Sequence, residues 1–214
     1  MVLREVSKID VNYVKKLYKE AFPIRERMPF SRLLKLQKNN IIKMFSAYEN
    51  GEPCALAITC TGSKSVLLMY LAVDGNKRGQ GLGSKIIPAL CETFPRRNLL
   101  LEIEKPDENK PMTVRRKKFY LRCGLRETGT EISLAGVPME ILIKGDGEFD
   151  KYEYLDIYRK HFGRKMKQKN ISLSGESLCK AIEKGKSLKI PGGIYDKSVK
   201  NLLTVLLVPH YNIA

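Results

Sequence analysis

Residues 66–87 read VLLMYLAVDGNKRGQGLGSKII, and the reading of this stretch decides the fold. The first eight residues are apolar on both alternating faces, the pattern of a strand in the middle of a sheet. Arg78-Gly79-Gln80-Gly81-Leu82-Gly83 follows at once, and then Ile86, Ile87, Leu90 and Phe94 recur at helical spacing. Closely spaced glycines let a backbone fold tightly and aim its N–H groups at one point. A helix start adds N–H groups without intrahelical partners and a partial positive charge. A diphosphate satisfies both, and Arg78 and Lys77 can add charge at the rim. A Walker A loop does not match, because Gly83 is followed by Ser84-Lys85 rather than Lys-Ser/Thr. A dinucleotide fingerprint matches poorly, since the spacing is G-x-G-x-G and lies several strands into the chain.

Upstream, Ser7 and Asp10 resemble a capping box ahead of a helix carrying Val11, Val14, Leu17, Tyr18 and Ala21, which Pro23 stops. The loop FPIRERMPF leads to a second short helix with Leu33, Leu34 and Leu36, for which Ser31 is the expected cap. Met44–Tyr48 and Cys54–Thr59 flank Asn50-Gly51, a hairpin signal. Downstream, Pro88 conflicts with the helix that contains it and should bend it or shift its start. Leu99–Glu104 reads as another inner strand, with Glu102 and Glu104 on the face opposite Leu101 and Ile103. A basic helix around Val114–Arg122 ends at Cys123-Gly124, where glycine can take the left-handed cap. Leu125–Ile132 and Met139–Ile143 form a closing antiparallel pair across Gly136-Val137. A last helix, Tyr152–Phe162, turns Leu155, Tyr158 and Phe162 inward. Beyond residue 163 the pattern weakens to a short helix with Leu178 and Ile182, a turn at Pro191-Gly192-Gly193 and an apolar run from Leu202 to Val208. The expected order is two helices, three strands, helix, strand, helix and two strands: a mixed α/β (α+β) sheet covered by helices.

The 214 residues include 39 Lys and Arg against 23 Asp and Glu, for a net charge of +16, which favours anionic partners without choosing among them. Residues 164–214 carry ten basic and three acidic groups, so the tail is the more basic part per residue. The chain therefore divides at 1–163, one catalytic-sized domain, and 164–214, a basic extension of undefined role. Five cysteines without a C-x-x-C pair fit reduced thiols, and two histidines are too few for an expected metal site. No signal peptide or membrane-length apolar run is evident, so cytoplasmic residence without membrane association is the expectation.

Two segments resemble a known family. LAVDGNKRGQGLGSKII is similar to the acetyl-CoA-binding motif of the GNAT superfamily of N-acetyltransferases, Arg/Gln-x-x-Gly-x-Gly/Ala, with Arg78, Gly81 and Gly83 at its fixed positions. RRKKFYLRCGLRETG resembles the later motif in which an aromatic pair on a helix precedes a Gly-Phe step. Phe119, Tyr120, Gly124 and Leu125 stand there, with Leu125 where Phe is commoner. The resemblance covers roughly residues 1–163. It implies a GNAT-like, largely antiparallel sheet whose central strands, Val66–Val73 and Leu99–Glu104, splay apart around the pantetheine arm of acetyl-CoA. The arm would pair with backbone at Leu71, Ala72 and Val73, and the diphosphate would sit on amides of Lys77, Arg78, Gly79, Gln80, Gly81, Leu82, Gly83 and Ser84. Phe119 and Tyr120 would flank the other side.

The resemblance implies direct transfer of acetyl to an amine. Leu71 N–H is the candidate donor to the developing oxyanion, and Tyr120 the candidate acid for the leaving thiolate, its ordinary pKa near 10 making it an acid at neutral pH. The strand before the phosphate loop lacks the glutamate that some relatives use as base. Glu104, at the end of the next strand, and Glu26, in the FPIRERMPF loop, are the carboxylates that could take the proton or anchor the acceptor, against a structural reading in which Glu102 or Glu104 pairs with an arginine. Arg25 and Arg27 could instead recognise an acidic acceptor. Cys123 reads as a buried thiol rather than a nucleophile. The acceptor is a small-molecule or protein amine, and a homodimer is compatible because small relatives often pair. Two rival functions stay open: a basic nucleic-acid-binding protein, and an acyl-CoA-binding sensor without catalysis.

Overall fold

A computed structural model describes residues 1–134, 136–162 and 171–173. The elements expected from residues 178–208 lie outside the described residues. In chain order the elements are β1 (Val2–Glu5), α1 (Val11–Ala21), α2 (Phe30–Lys38), β2 (Ile42–Glu49), β3 (Glu52–Thr61), β4 (Ser65–Val73), α3 (Leu82–Thr93), β5 (Asn98–Glu104), α4 (Pro111–Arg122), β6 (Arg126–Leu134), β7 (Val137–Lys144), α5 (Lys151–Phe162) and β8 (Ile171–Leu173). Among the described residues the eight strands form one sheet in the order β1-β2-β3-β4-β5-β7-β6-β8. Every neighbouring pair is antiparallel except β4–β5, which is parallel. The doubly apolar β4 and β5 occupy the middle, where both faces are covered, as their composition requires.

The two faces carry separate cores. On one, α1, α2 and α5 bring Val14, Leu17, Tyr18, Leu33, Tyr154 and Ile157 against Met44, Ile58, Tyr70 and Ile141. On the other, α3 and α4 bring Ile86, Ile87, Leu90 and Tyr120 against Ala57, Leu68, Leu71 and Ile103. Leu101 and Ile103 belong to the second core, while Glu102 turns to the first, the alternation expected of an inner strand.

Several local expectations change. β1 was not legible: three of its four residues are exposed, so it carries no alternation, and its pairing with β2 defines it. Asp10 takes the cap position of α1 without a side-chain bond to the helix, and its carboxylate accepts from Ser7 N at 3.4 Å and Ser7 Oγ at 2.9 Å, the return half of the expected box. Pro29 precedes α2, so Ser31 lies inside the helix rather than at its cap. α4 begins three residues early, at Pro111, whose fixed φ suits a first turn. α3 runs through Pro88. Ser84 and Pro88 are both exposed, so water can satisfy the carbonyl that loses its donor. In α5 the buried side chains are Glu153, Tyr154, Ile157 and Tyr158, with Leu155 only partly covered. The side chain of Phe162 lies outside the described residues.

Candidate active site

The central feature is a fork. β4 and β5 pair over Ser65–Leu68 and Asn98–Leu101 and then part, leaving the last five residues of β4 and the last three of β5 without each other. A bulge accompanies the parting. Ile58 on β3 faces Tyr70 and Thr59 faces Leu68, so Met69 is the extra residue. A bulge bends its strand and breaks the alternation of faces. Met69 and Tyr70 accordingly both pack on the α1 side, which turns Leu71 and Val73 toward α3 and α4.

Backbone direction follows from the ladder. The Asp74 N–H donates to Cys54 O at 2.8 Å. In an antiparallel pair hydrogen-bonded residues alternate, so Ala72 and Tyr70 address β3, and the N–H and C=O of Leu71 and Val73 point into the fork. The Val73 carbonyl accepts from Arg78 Nε at 3.3 Å, which draws that guanidinium to the mouth of the fork.

The turn beyond β4 is built for its shape. The Asp74 carboxylate accepts from Asn76 N at 3.1 Å and starts a short 3-10 turn, Gly75–Lys77. Gly79 and Gly81 take φ values of +76° and +72°, and Gly81 caps α3. A Cβ at either glycine would touch nothing within 4 Å, so backbone conformation, not space, calls for glycine here. Lys77 and Ser84 are engaged internally: Lys77 N donates to Asp74 O at 2.9 Å and Ser84 N to Gly81 O at 3.1 Å. The Lys77 ammonium reaches Glu52 at 2.7 Å and Pro53 O at 3.3 Å, away from the rim where charge was expected. The amides of the segment between them include those of the α3 first turn, which no helix satisfies internally. Gly79, Gln80 and Gly81 are exposed, while Leu82 and Gly83 are buried and anchor the helix start. An exposed turn with left-handed glycines, first-turn amides and an arginine beside it suits a diphosphate.

α4 supplies the opposite wall. Tyr120 is fully buried in the core that also holds Leu71, Leu82, Ile86 and Ile103, with Phe119 edge-on at 5.1 Å. The helix ends where glycine was expected: Gly124 has φ +81°, and Lys144 Nζ donates to Cys123 O at 2.8 Å, a cation on the helix's negative end. Lys117 bridges Glu127 and Glu140, the latter at 2.7 Å, and ties α4 to β6 and β7. Cys123 is half-buried rather than buried, and burial pushes its thiol up, which does not suit a nucleophile.

The carboxylates separate. Glu104 stands at the tip of β5 with Arg116 Nη1 at 3.8 Å, an ion pair one helical turn before Tyr120. Glu26 is 3% exposed, and its backbone carbonyl accepts from Tyr70 OH at 3.1 Å, which fixes the α1–α2 turn over β4. Arg27 is turned back onto α1, donating to Lys19 O at 3.0 Å. The side chain of Arg25 lies outside the described residues. Glu102, treated in the sequence only as a partner for arginine, is instead held by two tyrosines: Tyr154 and Tyr158 each donate to Oε1 at 2.5 Å. The missed signal was Tyr154, which shares a helical face with Tyr158. The structure thus gathers Leu71, Val73, Arg78, Gly79, Gly81 and Tyr120 around the fork and its turn, sets Glu26 and Glu102 on the α1 face, and directs Lys77 elsewhere.

Comparisons agree with this geometry. A putative acetyltransferase from the GNAT family of Bacteroides thetaiotaomicron has the same fold, with a TM-score of 0.61 at 19% identity over 75% of this chain and 96% of that one. The ribosomal-protein-S18-alanine N-acetyltransferase of Escherichia coli gives 0.51 at 18% identity over 70% and 99%. A spermidine N-acetyltransferase variant from Vibrio cholerae gives 0.51 at 16% over 67% and 94%. No curated protein matches the chain. Among the described residues no helix is long and apolar enough to cross a membrane. The profile described as Acetyltransferase (GNAT) family matches residues 11–125, more than half of the chain, and with the forked sheet it shows that this protein belongs to the GNAT family of acetyltransferases.

Proposed function

We propose that this protein transfers an acetyl group from acetyl-CoA to the amine of a small molecule or protein by direct attack on the thioester. The observation that carries this reading is the parting of β4 and β5 after Leu68 and Leu101, immediately ahead of the glycine turn at the start of α3. Acetyl-CoA, when bound, supplies the activated acetyl group. The backbone of Leu71 and Val73 pairs with the amides of the pantetheine arm, and the amides between Arg78 and Gly83 hold the diphosphate with Arg78 at the edge. The Leu71 N–H donates where negative charge develops on the carbonyl oxygen. Tyr120, on the opposite wall, gives its phenolic proton to the departing sulfur, work worth roughly 10²–10⁴ in rate for a positioned acid. Glu104 keeps Arg116 in place, and Glu26 shapes the acceptor side beneath Tyr70.

Calorimetry with acetyl-CoA, followed by thiol release with a panel of primary amines, polyamines and peptide N-termini, tests the reading. Binding of acetyl-CoA with transfer to at least one class is the expected result. A chain that binds no acetyl-CoA overturns it, and one that binds but transfers to nothing leaves a sensor in its place.

A further inference from the structure

The α1 face of the opening is roofed by a basic surface. Tyr70 of β4 stands two residues past the last pair with β5, and its hydroxyl donates to Glu26 O at 3.1 Å, so the α1–α2 turn lies over the fork. α1 leads into that turn across β3 and β4, and α2 leads away from it across β2. The two helices together carry six bases, Lys15, Lys16, Lys19, Arg32, Lys35 and Lys38, against a single acid, Glu20. All five lysines are exposed, and Glu20 is matched with Lys16 at 4.0 Å. Between residues 7 and 40 the other acids are Asp10 and Glu26, both buried.

This arrangement does not serve the helices themselves. Lys15 and Lys19 are four residues apart, Lys35 is three from both Arg32 and Lys38, and like charges at those spacings repel. The negative end of a helix favours Lys19, Lys35 and Lys38. It does not account for Lys15, or for exposed faces almost without acid. Neutral helix formers would hold both helices with less repulsion. Arg27, which the sequence allowed as a reader of acidic acceptors, braces the turn instead, through Lys19 O at 3.0 Å. At the crown Ile24 is 78% exposed, an apolar contact between two stripes of positive charge.

We propose that the lysine stripes of α1 and α2, on either side of Ile24, dock an acidic polypeptide segment, and that the acceptor amine belongs to a peptide or protein with Asp or Glu close behind it. This deepens the acetyl-transfer reading and rests on it. Charge complementarity selects this occupant. A polyamine brings positive charge to a positive surface and is repelled by both helices. A peptide amine enters the fork while the carboxylates that follow it lie along the stripes. Lys15 and Lys19 stand about 6 Å apart along α1, or about two residues of extended peptide, so acids within the first few positions after the amine come within reach. Ammonium heads on flexible stems suit such a segment, since they follow a carboxylate without fixing its geometry. Contacts of this kind act mainly by steering encounter, so they weaken with salt.

The test uses the full chain and a hexapeptide with Asp and Glu at its second to fifth positions, beside versions carrying Asn and Gln or Lys there, and spermidine. Binding is read from the anisotropy of a C-terminal fluorophore with coenzyme A present, and kcat/KM from thiol release. Two double variants reverse the stripes, Lys15→Glu with Lys19→Glu and Lys35→Glu with Lys38→Glu. A third, Arg115→Glu with Lys118→Glu on the exposed side of α4, makes the same change in net charge on the other face of the sheet. At about 50 mM salt the acidic peptide should bind at least about tenfold more tightly than the Asn/Gln version, and its kcat/KM should exceed those of that version and of spermidine by a similar factor; both gaps should narrow toward about 500 mM. Each stripe reversal should remove the preference and favour the Lys version, with Tm held and acetyl-CoA affinity within about twofold of wild type. The α4 reversal should leave the preference in place. If a Glu variant does not fold, Lys→Gln pairs at the same positions decide, and should remove most of the preference. An α4 reversal as damaging as those on α1 and α2 would reduce the effect to net charge and overturn the proposal. So would equal rates for the acidic and neutral peptides, spermidine as the better acceptor, or a single-stranded oligonucleotide that binds the stripes more tightly than the acidic peptide does. A chain that binds acetyl-CoA, binds the acidic peptide through these lysines and acetylates no amine sinks the transfer reading and leaves the docking surface standing. One that acetylates other amines as readily sinks this proposal alone.

Discussion

At the scale of the residue, Gly81 and Tyr120 divide the chemistry of the proposed transfer: one would shape backbone for an anion, the other would present a proton. Because Gly81 caps α3 at φ +72° in open space, a larger residue meets no clash and is penalised only through its backbone. Gly81→Val should cost about 1–2 kcal/mol if the left-handed conformation is kept, and more acetyl-CoA affinity than stability if the turn rearranges. Calorimetry beside thermal melts separates the two. Tyr120→Phe keeps the buried ring and removes the hydroxyl alone. It should leave acetyl-CoA binding near wild type and lower kcat about 100-fold, and an unchanged rate across pH would remove Tyr120 as the acid. Glu104 is the counter-case. Its arginine partner gives it a structural occupation, so Glu104→Gln should reduce kcat far less than Tyr120→Phe, as steady-state rates for the two variants would show. The glycines and the tyrosine were legible because their meaning is local, a φ angle and a helical position. The hydrogen bonding of Glu102 was not, since both donors come from more than fifty residues away in sequence.

At the scale of the element, α5 is bound by two carboxylates whose protonation responds in opposite directions. Burial pushes Glu153 up, but the amide of Lys64 and the hydroxyl of Ser65, with further donors from Ser63 and Ser65, outweigh it and hold the carboxyl below its usual value. A lowered folded value means the group stabilises the fold above its unfolded pKa, near 4.3, and that this contribution is lost as pH falls through the folded value. Glu153→Gln should therefore lose about 1–3 kcal/mol at pH 7, and the gap to wild type should narrow below about pH 4; melts at both pH values measure it. Glu102 has the opposite sign. Its raised carboxyl makes the folded state bind protons more tightly, so wild-type stability rises as pH falls from the folded value toward the unfolded one. Glu102→Gln should hold or raise Tm at neutral pH, as thermal melts at pH 7 would show. α5 is readable as a helix in the sequence, but the spacing predicts Leu155 inward where the structure buries Tyr154. Its ends and its spacing are local properties, whereas the sheet it crosses selects the buried face.

For the whole molecule, a net charge of +16 adds a long-range attraction for any anionic ligand to the contacts made at the glycine turn. Acetyl-CoA affinity should fall several-fold between about 50 and 500 mM salt as the Debye length contracts to a few ångströms. A flat response would assign recognition to close backbone contacts alone. Much of the architecture was written locally: the two apolar inner strands, the Asn50-Gly51 hairpin, the glycine turn before α3 and the left-handed Gly124 after α4 each follow from backbone preferences or from the period of apolar residues. β1, with mostly exposed side chains, exists because β2 offers it a partner. The Met69 bulge belongs to two strands at once: a period of two carried through 66–73 would put Leu71 on the α1 face, and the mismatch with β3 puts it in the core that holds Tyr120. What the chain determined by itself was the inner strands, the helices and the glycine turn before α3, because those depend on residues within a few positions of one another. Where the sheet opens, which face Leu71 takes and which groups hold Glu102 were decided by tertiary structure, because each depends on pairings between segments that meet only once the chain has folded.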